Sequence, residues 1–182
     1  MKNIFTIDIH THIIPENIPD FKSKFGYGGF INLNHHKPNC AKMMMDGEFF
    51  REIDHNCWSP EKRIEECDQF NVDVQVISTI PIMFSYWAKP KDALLVSQFI
   101  NDHLAKIVTT YPKRFVALGN LPMHNSKLAI QELERCKNIG LKGIQIGSHI
   151  NQWNLEHNEL IPIYEACQDL DLCIFVHPWW WM

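Results

Sequence analysis

Five short apolar runs are spaced along the chain, and each is rich in the β-branched residues that favour strands. The runs are almost continuously apolar, which is typical of parallel strands whose two faces are both covered. The five predicted strands span residues 4–9, 74–80, 114–121, 142–147 and 172–176.

A segment with helical periodicity precedes each of the last four predicted strands. The first segment begins at Ser59-Pro60-Glu61, which offers a hydroxyl N-cap, a proline at the first helical position and an acid in the first turn. Gly140 follows the third segment and is typical of the residue that ends a helix. The predicted helices span residues 60–70, 92–111, 125–140 and 159–170.

Strands that alternate with helices predict an α/β fold with a parallel sheet built from βαβ units. Two architectures fit this order, an open doubly wound sheet and a (β/α)8 TIM barrel. No G-x-G-x-x-G or Walker loop follows any predicted strand, which disfavours the open nucleotide-binding sheet. A complete barrel needs about 250 residues. We therefore expect residues 1–182 to form a single barrel domain that is incomplete at its C-terminus and truncated after about strand five.

Residues 15–57 separate the first predicted strand from the first predicted helix and show no sustained periodicity. The stretch contains three prolines and the cluster Gly26-Tyr27-Gly28-Gly29, which predict an irregular loop. Its aromatic residues and the run Met43-Met44-Met45 argue against disorder. Long ordered loops in compact domains are usually functional, so we expect a functional loop here.

Composition excludes several classes of function. The net charge of −4 and the pI near 6.2 give no basic surface for nucleic acid, and no apolar run approaches the roughly 20 residues of a membrane span. The N-terminus has an aspartate inside its apolar stretch and lacks the features of a signal peptide. The six cysteines form no C-x-x-C pair, which is typical of a reduced, cytoplasmic protein. The expected partner is a small-molecule substrate, with no nucleic acid and no membrane.

Histidines end the first and the last predicted strands. His10 and His12 are two residues apart, so both side chains point to the same face of their strand. His177 follows the fifth strand and presents a third imidazole at the same mouth of a barrel, where active sites form. Three histidines with one or two open positions match a catalytic zinc site. We therefore predict that His10, His12 and His177 bind a metal ion, with zinc as the cofactor.

Three further residues are candidates for supporting roles. Asp8 shares a face with the histidines and could orient one of their rings, while a structural acid at the barrel floor fits equally well. Arg51 is flanked by Phe49 and Phe50, and its guanidinium matches a planar carboxylate, although an ordinary surface arginine also fits its position. His149 follows the fourth strand and could border the pocket.

Four sequence motifs are distributed over almost the whole chain: Ile7-Asp8-Ile9-His10-Thr11-His12, Phe25-Gly26-Tyr27-Gly28-Gly29, Met83-Phe84-Ser85-Tyr86-Trp87-Ala88-Lys89-Pro90 and Phe175-Val176-His177-Pro178-Trp179. Together they resemble the 2-amino-3-carboxymuconate-6-semialdehyde decarboxylase family of the amidohydrolase superfamily. The first and last motifs are shared across the superfamily. The Tyr-Gly-Gly and Phe-Ser-Tyr-Trp-Ala-Lys-Pro stretches are far more specific to this family.

The resemblance implies a distorted (β/α)8 barrel with one zinc ion. It implies that His10, His12 and His177 are the zinc ligands and that Arg51 holds a carboxylate of the substrate. The implied reaction is the non-oxidative decarboxylation of 2-amino-3-carboxymuconate 6-semialdehyde to 2-aminomuconate 6-semialdehyde, in tryptophan catabolism through kynurenine or in nitrobenzoate degradation. A homodimer is implied for the full-length protein.

The sequence also departs from the family. The family's fourth ligand, an aspartate after strand eight, and its catalytic histidine after strand six have no counterpart before Met182. The run Trp179-Trp180-Trp181 differs as well, because the family continues with Asp-Met after the first tryptophan. We therefore expect the 182-residue chain alone to be inactive. Two alternatives remain open: another metal-dependent hydrolase of the superfamily, and a chain that is not an enzyme. In the second case it is either an inactive truncated form of the decarboxylase or a partner that modulates a full-length subunit.

Overall fold

A computed structural model describes residues 4–179 of the chain. This part contains a five-stranded sheet and a second, three-stranded sheet. In chain order the strands are β1 (Ile7–His12), β2 (Ile31–Lys37), β3 (Cys40–Met45), β4 (Glu48–Asp54), β5 (Val74–Ser78), β6 (Phe115–Gly119), β7 (Gly143–Gly147) and β8 (Cys173–His177). The α-helices are α1 (Phe21–Phe25), α2 (Pro60–Gln69), α3 (Pro90–Thr110), α4 (Ser126–Asn138) and α5 (Ile161–Asp169), and short 3-10 helices span His55–Cys57 and Pro81–Met83.

The larger sheet is parallel throughout, in the strand order β1-β5-β6-β7-β8. Each strand of this sheet lies next to the strand that precedes it in the sheet's chain order, always on the same side, as in a (β/α)8 barrel. In a doubly wound sheet the direction in which successive strands are placed reverses partway along the chain. The four helices α2 to α5 each precede one of its later strands, and α3 packs against β6 while α4 packs against β7. The five predicted strands and four predicted helices are confirmed to within a few residues at each end.

Side chains cap the starts of α2 and α4, and the cap at Ser59 is the one that the sequence predicts. Ser59 Oγ accepts a hydrogen bond from the Lys62 amide at 3.2 Å, and Asn125 Oδ1 accepts one from the Leu128 amide at 3.0 Å. These bonds satisfy amides that have no partner inside the helix. In residues 4–179, none of the helices combines the length and the apolar character that a membrane crossing requires.

The core lies between the parallel sheet and the helices that cover it. A buried polar group within it joins α3 to α4, because the fully buried Glu132 carboxylate accepts hydrogen bonds from Asn101 Nδ2 at 2.6 Å and from Arg135 Nη2 at 2.8 Å. A buried charge is tolerated when it is paired in this way. The surrounding apolar side chains include Leu104, Leu133, Ile144 and Ile163.

Residues 15–57 are not the irregular loop that the sequence predicts, and this prediction is wrong. They contain α1 and an antiparallel sheet in the order β2-β3-β4, inserted between β1 and α2. The β3–β4 turn is Asp46-Gly47, whose φ angles of 53° and 92° suit a tight two-residue hairpin. Because many residues of these strands are polar and exposed, the alternation of apolar and polar residues that would indicate strands is hard to recognise in the sequence. The Asp-Gly pair was the local signal that could have revealed the hairpin.

The strands β1 and β8 are the two edges of the parallel sheet, and their outward side chains are exposed. Ile9 is 62% exposed and Val176 is 46% exposed. This exposure agrees with the expectation that the parallel strands of residues 4–179 form only part of a barrel, whose edge strands are left without covering helices. An interior strand pairs with one strand on each side, whereas an edge strand pairs with a strand on one side only.

Leu133 on α4 is fully buried in the core. We predict that Leu133→Ala lowers the free energy of unfolding by about 2–5 kcal/mol, because it removes apolar contacts and leaves a cavity. Leu95→Ala on α3 is the matched control, since Leu95 is 40% exposed, and should cost less than about 1 kcal/mol. Urea denaturation followed by circular dichroism measures both values. Equal losses would contradict this assignment of the core.

Candidate metal centre

Three imidazole rings converge at the carboxyl ends of β1 and β8. His10 and His12 lie at the end of β1, and His177 ends β8. The ring centroids are 5.1 Å apart for His10 and His12, 4.8 Å for His10 and His177, and 5.0 Å for His12 and His177. One nitrogen from each ring lies within 4.8 Å of the other two. The structure therefore brings together the three histidines that the sequence analysis singles out.

The contact between His12 and His177 has the spacing of two ligands on one ion. Their Nε2 atoms are 3.2 Å apart, and two nitrogens bound to one tetrahedral zinc ion are separated by roughly 3.3 Å. The Nδ1 atom of His177 is 2.5 Å from the Pro178 carbonyl oxygen. Because a carbonyl oxygen only accepts hydrogen bonds, Nδ1 carries the hydrogen and Nε2 presents its lone pair to the centre. This donor set fits a divalent cation.

The environment of His12 keeps its ring neutral. Its pKa is lowered from 6.5 to about 4, first by burial and then by the neighbouring rings of His177 and His10. A neutral imidazole has a lone pair to give to a metal, whereas a protonated one does not. At neutral pH, protons therefore do not compete with a metal ion for this ring.

A cavity of 360 Å³ extends from the histidine cluster to the antiparallel sheet. His12 and His177 line one part of it, and Arg51 of β4 also lines it. Most of the remaining wall is apolar and is formed by Ile14, Met43, Phe50, Ile53, Cys57, Ile80, Pro81 and Ile82. One cavity thus combines the candidate metal ligands with a permanent cation in apolar surroundings.

A β-bulge next to the cavity affects the direction of Arg51. The pairing of β3 with β4 shifts between Met43, which faces Arg51, and Met44, which faces Phe49, so Phe50 is the extra residue. Bulges redirect side chains, and here the sequence neighbours Phe50 and Arg51 both line the cavity. Of the two aromatic residues that flank Arg51 in the sequence, only Phe50 lines the cavity; Phe49 is 59% exposed, and Arg51 itself is exposed.

Asp8 bonds to backbone and amide groups rather than to an imidazole ring. Its carboxylate accepts hydrogen bonds from the backbone amide of His10 at 3.3 Å and from Gln75 Nε2 at 3.3 Å. Of the two roles that the sequence analysis leaves open for Asp8, this arrangement favours the structural one.

Arg63 of α2 supports the end of β1, and no sequence pattern distinguishes it from a surface arginine. Its guanidinium donates hydrogen bonds to the His12 carbonyl oxygen, to the Asn56 carbonyl oxygen at 2.9 Å and to Gln75 Oε1 at 3.2 Å. Burial lowers the pKa of this guanidinium. A half-buried cation with three acceptors restrains the groups that accept from it, and one of these is the backbone of a candidate ligand.

His149 lies near the cluster but is not part of it. Its Nδ1 is 3.0 Å from the Asn151 carbonyl oxygen, and its Nε2 is 3.1 Å from the Trp179 carbonyl oxygen. Both ring nitrogens therefore face the backbone, which favours a structural role. The departure from the family that begins at Trp180 lies outside the described residues.

A second group of metal-binding residue types, His36, Cys40 and Glu52, lies on the antiparallel sheet. The Lys37 ammonium is 2.8 Å from Glu52 Oε1, and His36 Nε2 is 3.3 Å from Glu52 Oε2. The lysine already supplies the positive charge that a metal ion would bring. We therefore interpret this group as an ion-pair network on the sheet surface.

The fold and the histidine cluster agree with a family assignment. The model of the Amidohydrolase family matches residues 7–182, a range that includes Arg51 and all three histidines of the cluster. The chain belongs to the amidohydrolase family.

Two curated relatives are each named 2-amino-3-carboxymuconate-6-semialdehyde decarboxylase. The protein of Dictyostelium discoideum is 55% identical over 174 residues, which cover 95% of this chain and 48% of that protein. The protein of Caenorhabditis elegans is 35% identical over 222 residues, which cover 95% of this chain and 55% of that protein. The chain thus spans about half the length of these relatives.

Solved structures share the fold. The IDCase of Metarhizium anisopliae in its apo form aligns with a TM-score of 0.77 over 97% of this chain and 51% of that chain, at 20% sequence identity. The agreement supports the barrel-type order of the parallel strands.

We predict that His177→Ala strongly reduces the metal content of the purified protein, because it removes one of three converging imidazoles. His157→Ala is the control, since the His157 ring stacks on Trp153 at 4.4 Å and does not belong to the cluster. The protein is offered zinc and manganese, dialysed and subjected to elemental analysis. Unchanged metal content in the His177 variant would refute its assignment as a ligand.

Proposed function

We propose that this protein is a metal-dependent decarboxylase that converts 2-amino-3-carboxymuconate 6-semialdehyde into 2-aminomuconate 6-semialdehyde and carbon dioxide. The observation that carries the proposal is the cavity that Arg51 shares with His12 and His177. A metal-binding cluster and a carboxylate-binding cation in one apolar cavity suit a small acidic substrate. The identity of 55% to the Dictyostelium relative supports the same reaction.

In this proposal His10, His12 and His177 hold one divalent ion. We propose zinc, because three neutral imidazoles with an open position are a frequent ligand set of catalytic zinc. When bound, such an ion supplies Lewis-acid chemistry and the activation of water at neutral pH.

Arg51 binds a carboxylate of the substrate through two parallel hydrogen bonds in this proposal. The positive charge of its guanidinium offsets the negative charge of the substrate. The apolar side chains of Phe50, Ile80 and Ile82 line the same cavity, and a substrate that covers them displaces water and so strengthens the ionic contact. The substrate is thereby held between β4 and the strand ends that carry the histidines, with its reacting carbon positioned beside them.

The test uses the natural protein that contains this chain, loaded with zinc and mixed with freshly generated substrate. The absorbance of the substrate and the release of carbon dioxide are followed together. Release of one carbon dioxide for each substrate consumed supports the proposal. Hydrolysis of amide or lactone substrates without decarboxylation would instead identify a hydrolase of the same superfamily.

We predict that Arg51→Ala lowers kcat/KM roughly ten- to a hundred-fold, because a charged hydrogen bond of this kind is worth about 1.5–3 kcal/mol. Bound metal should remain at the wild-type level, since Arg51 is outside the histidine cluster. Arg51→Lys is the matched control, because lysine keeps the positive charge but cannot form two parallel hydrogen bonds to a carboxylate. Its kcat/KM should lie between those of the wild type and Arg51→Ala. Near-normal kinetics for Arg51→Ala would refute the role.

A further inference from the structure

Gln145 is a buried polar residue of β7 that the proposed chemistry does not use, and it is only 1% exposed. Its carboxamide crosses to the end of β5, where Nε2 donates a hydrogen bond to the Thr79 carbonyl oxygen at 3.1 Å and Oε1 accepts one from Ser78 Oγ. The Thr79 carbonyl oxygen can only accept, so it fixes which end of the carboxamide faces it. The carboxamide oxygen is therefore the end that faces Ser78.

Hydrogen bonds of Ser78 connect the carboxamide of Gln145 to the ring of His12. Ser78 and His12 pair in the parallel sheet, and Ser78 is buried. Its Oγ is hydrogen-bonded to Gln145 Oε1, lies 3.1 Å from the Thr11 carbonyl oxygen and lies 3.2 Å from His12 Nδ1. The first two groups only accept, and a hydroxyl has a single hydrogen to give. That hydrogen goes to one of the two acceptors, so Ser78 Oγ accepts the hydrogen bond from His12 Nδ1.

The reverse arrangement, in which Ser78 donates to His12, is disfavoured by burial. It would leave the carboxamide oxygen of Gln145 and the carbonyl oxygen of Thr11 both facing a hydroxyl oxygen without a hydrogen between them. Buried acceptors in native structures are nearly always paired with a donor. The two hydrogen-bond acceptors on either side of Ser78 thus select one tautomer of His12.

We propose that Gln145 and Ser78 are positioning residues that hold His12 in the tautomer with its hydrogen on Nδ1. The lone pair of His12 Nε2 then points to the centre of the cluster, where His177 Nε2 lies 3.2 Å away. We call this chain of hydrogen bonds the Gln145–Ser78–His12 relay. Its purpose rests on the proposed metal function. In metal-free protein the relay keeps the hydrogen of His12 on Nδ1, so a hydrogen between the two Nε2 atoms has to come from His177.

The tautomer is measured directly in metal-free protein. Long-range proton–nitrogen correlation spectra of protein labelled with nitrogen-15 distinguish Nδ1–H from Nε2–H imidazoles. We expect His12, assigned by its loss from a His12→Gln variant, to show Nδ1–H at neutral pH. A wild-type His12 with its hydrogen on Nε2 would overturn the relay.

Substitutions then test whether the relay matters for metal binding. We expect Ser78→Ala to lose the tautomer preference and to bind zinc about ten- to a hundred-fold more weakly, as is typical when a partner of a ligating histidine is removed. Gln145→Leu should have a smaller effect, because the Thr11 carbonyl oxygen remains as an acceptor for Ser78. Affinity is measured by competition with a coloured chelator at fixed pH.

Ser97→Ala is the matched control, because Ser97 is also buried and accepts a hydrogen bond from Asn120 Nδ2 at 3.1 Å, outside the relay. It should keep the wild-type affinity and tautomer. Equal affinities of the Ser78 and Ser97 variants would overturn the positioning role. A wild-type protein that shows Nδ1–H but binds no metal would refute the proposed function and leave the tautomer assignment in place.

Discussion

The Nε2 atoms of His12 and His177 lie 3.2 Å apart, although their strands are the two edges of a five-stranded sheet. A flat sheet of this size would hold its edge strands roughly 19 Å apart, at about 4.8 Å for each neighbouring pair. The sheet must therefore curl until its first and last strands approach each other at their carboxyl ends. The buried bond between Gln145 and Ser78 spans the inside of this curl, from β7 to β5. The histidine cluster is thus a product of sheet curvature, and whatever flattens the sheet also disperses the cluster.

Each end of the cluster is anchored by a group outside the imidazole rings. The backbone carbonyl of Pro178 restrains the ring of His177, and Ser78 restrains the ring of His12. The backbone of His12 is restrained in turn by the half-buried guanidinium of Arg63, which comes from α2. Because these restraints come from the protein itself, the converging arrangement of the rings does not depend on a bound ion.

The sequence predicts the parallel sheet and its helices well, because apolar period and helix caps are local properties. It also predicts that the three histidines lie close together. Side chains alternate between the two faces of β1, so His10 and His12 share a face, and the carboxyl ends of the strands meet at one mouth of a barrel. Arg63 and Gln145 could not be predicted in the same way. Their roles depend on contacts between elements far apart in the chain, and a single arginine or glutamine does not alter the pattern of apolar and polar residues around it. The antiparallel sheet was missed because β2 and β4 are largely exposed and carry polar residues on both faces, so apolar and polar positions do not alternate regularly along them.

The antiparallel sheet has a further consequence for how such a protein can diverge. Arg51 lies on β4 of this inserted sheet, whereas the histidines lie on the parallel strands. The two sets of side chains meet at one cavity but belong to separately hydrogen-bonded sheets. Mutations in the insert can therefore reshape the wall that selects a ligand without disturbing the backbone that carries the imidazoles. New selectivity can therefore arise from substitutions in one hairpin, with the strand ends left unchanged.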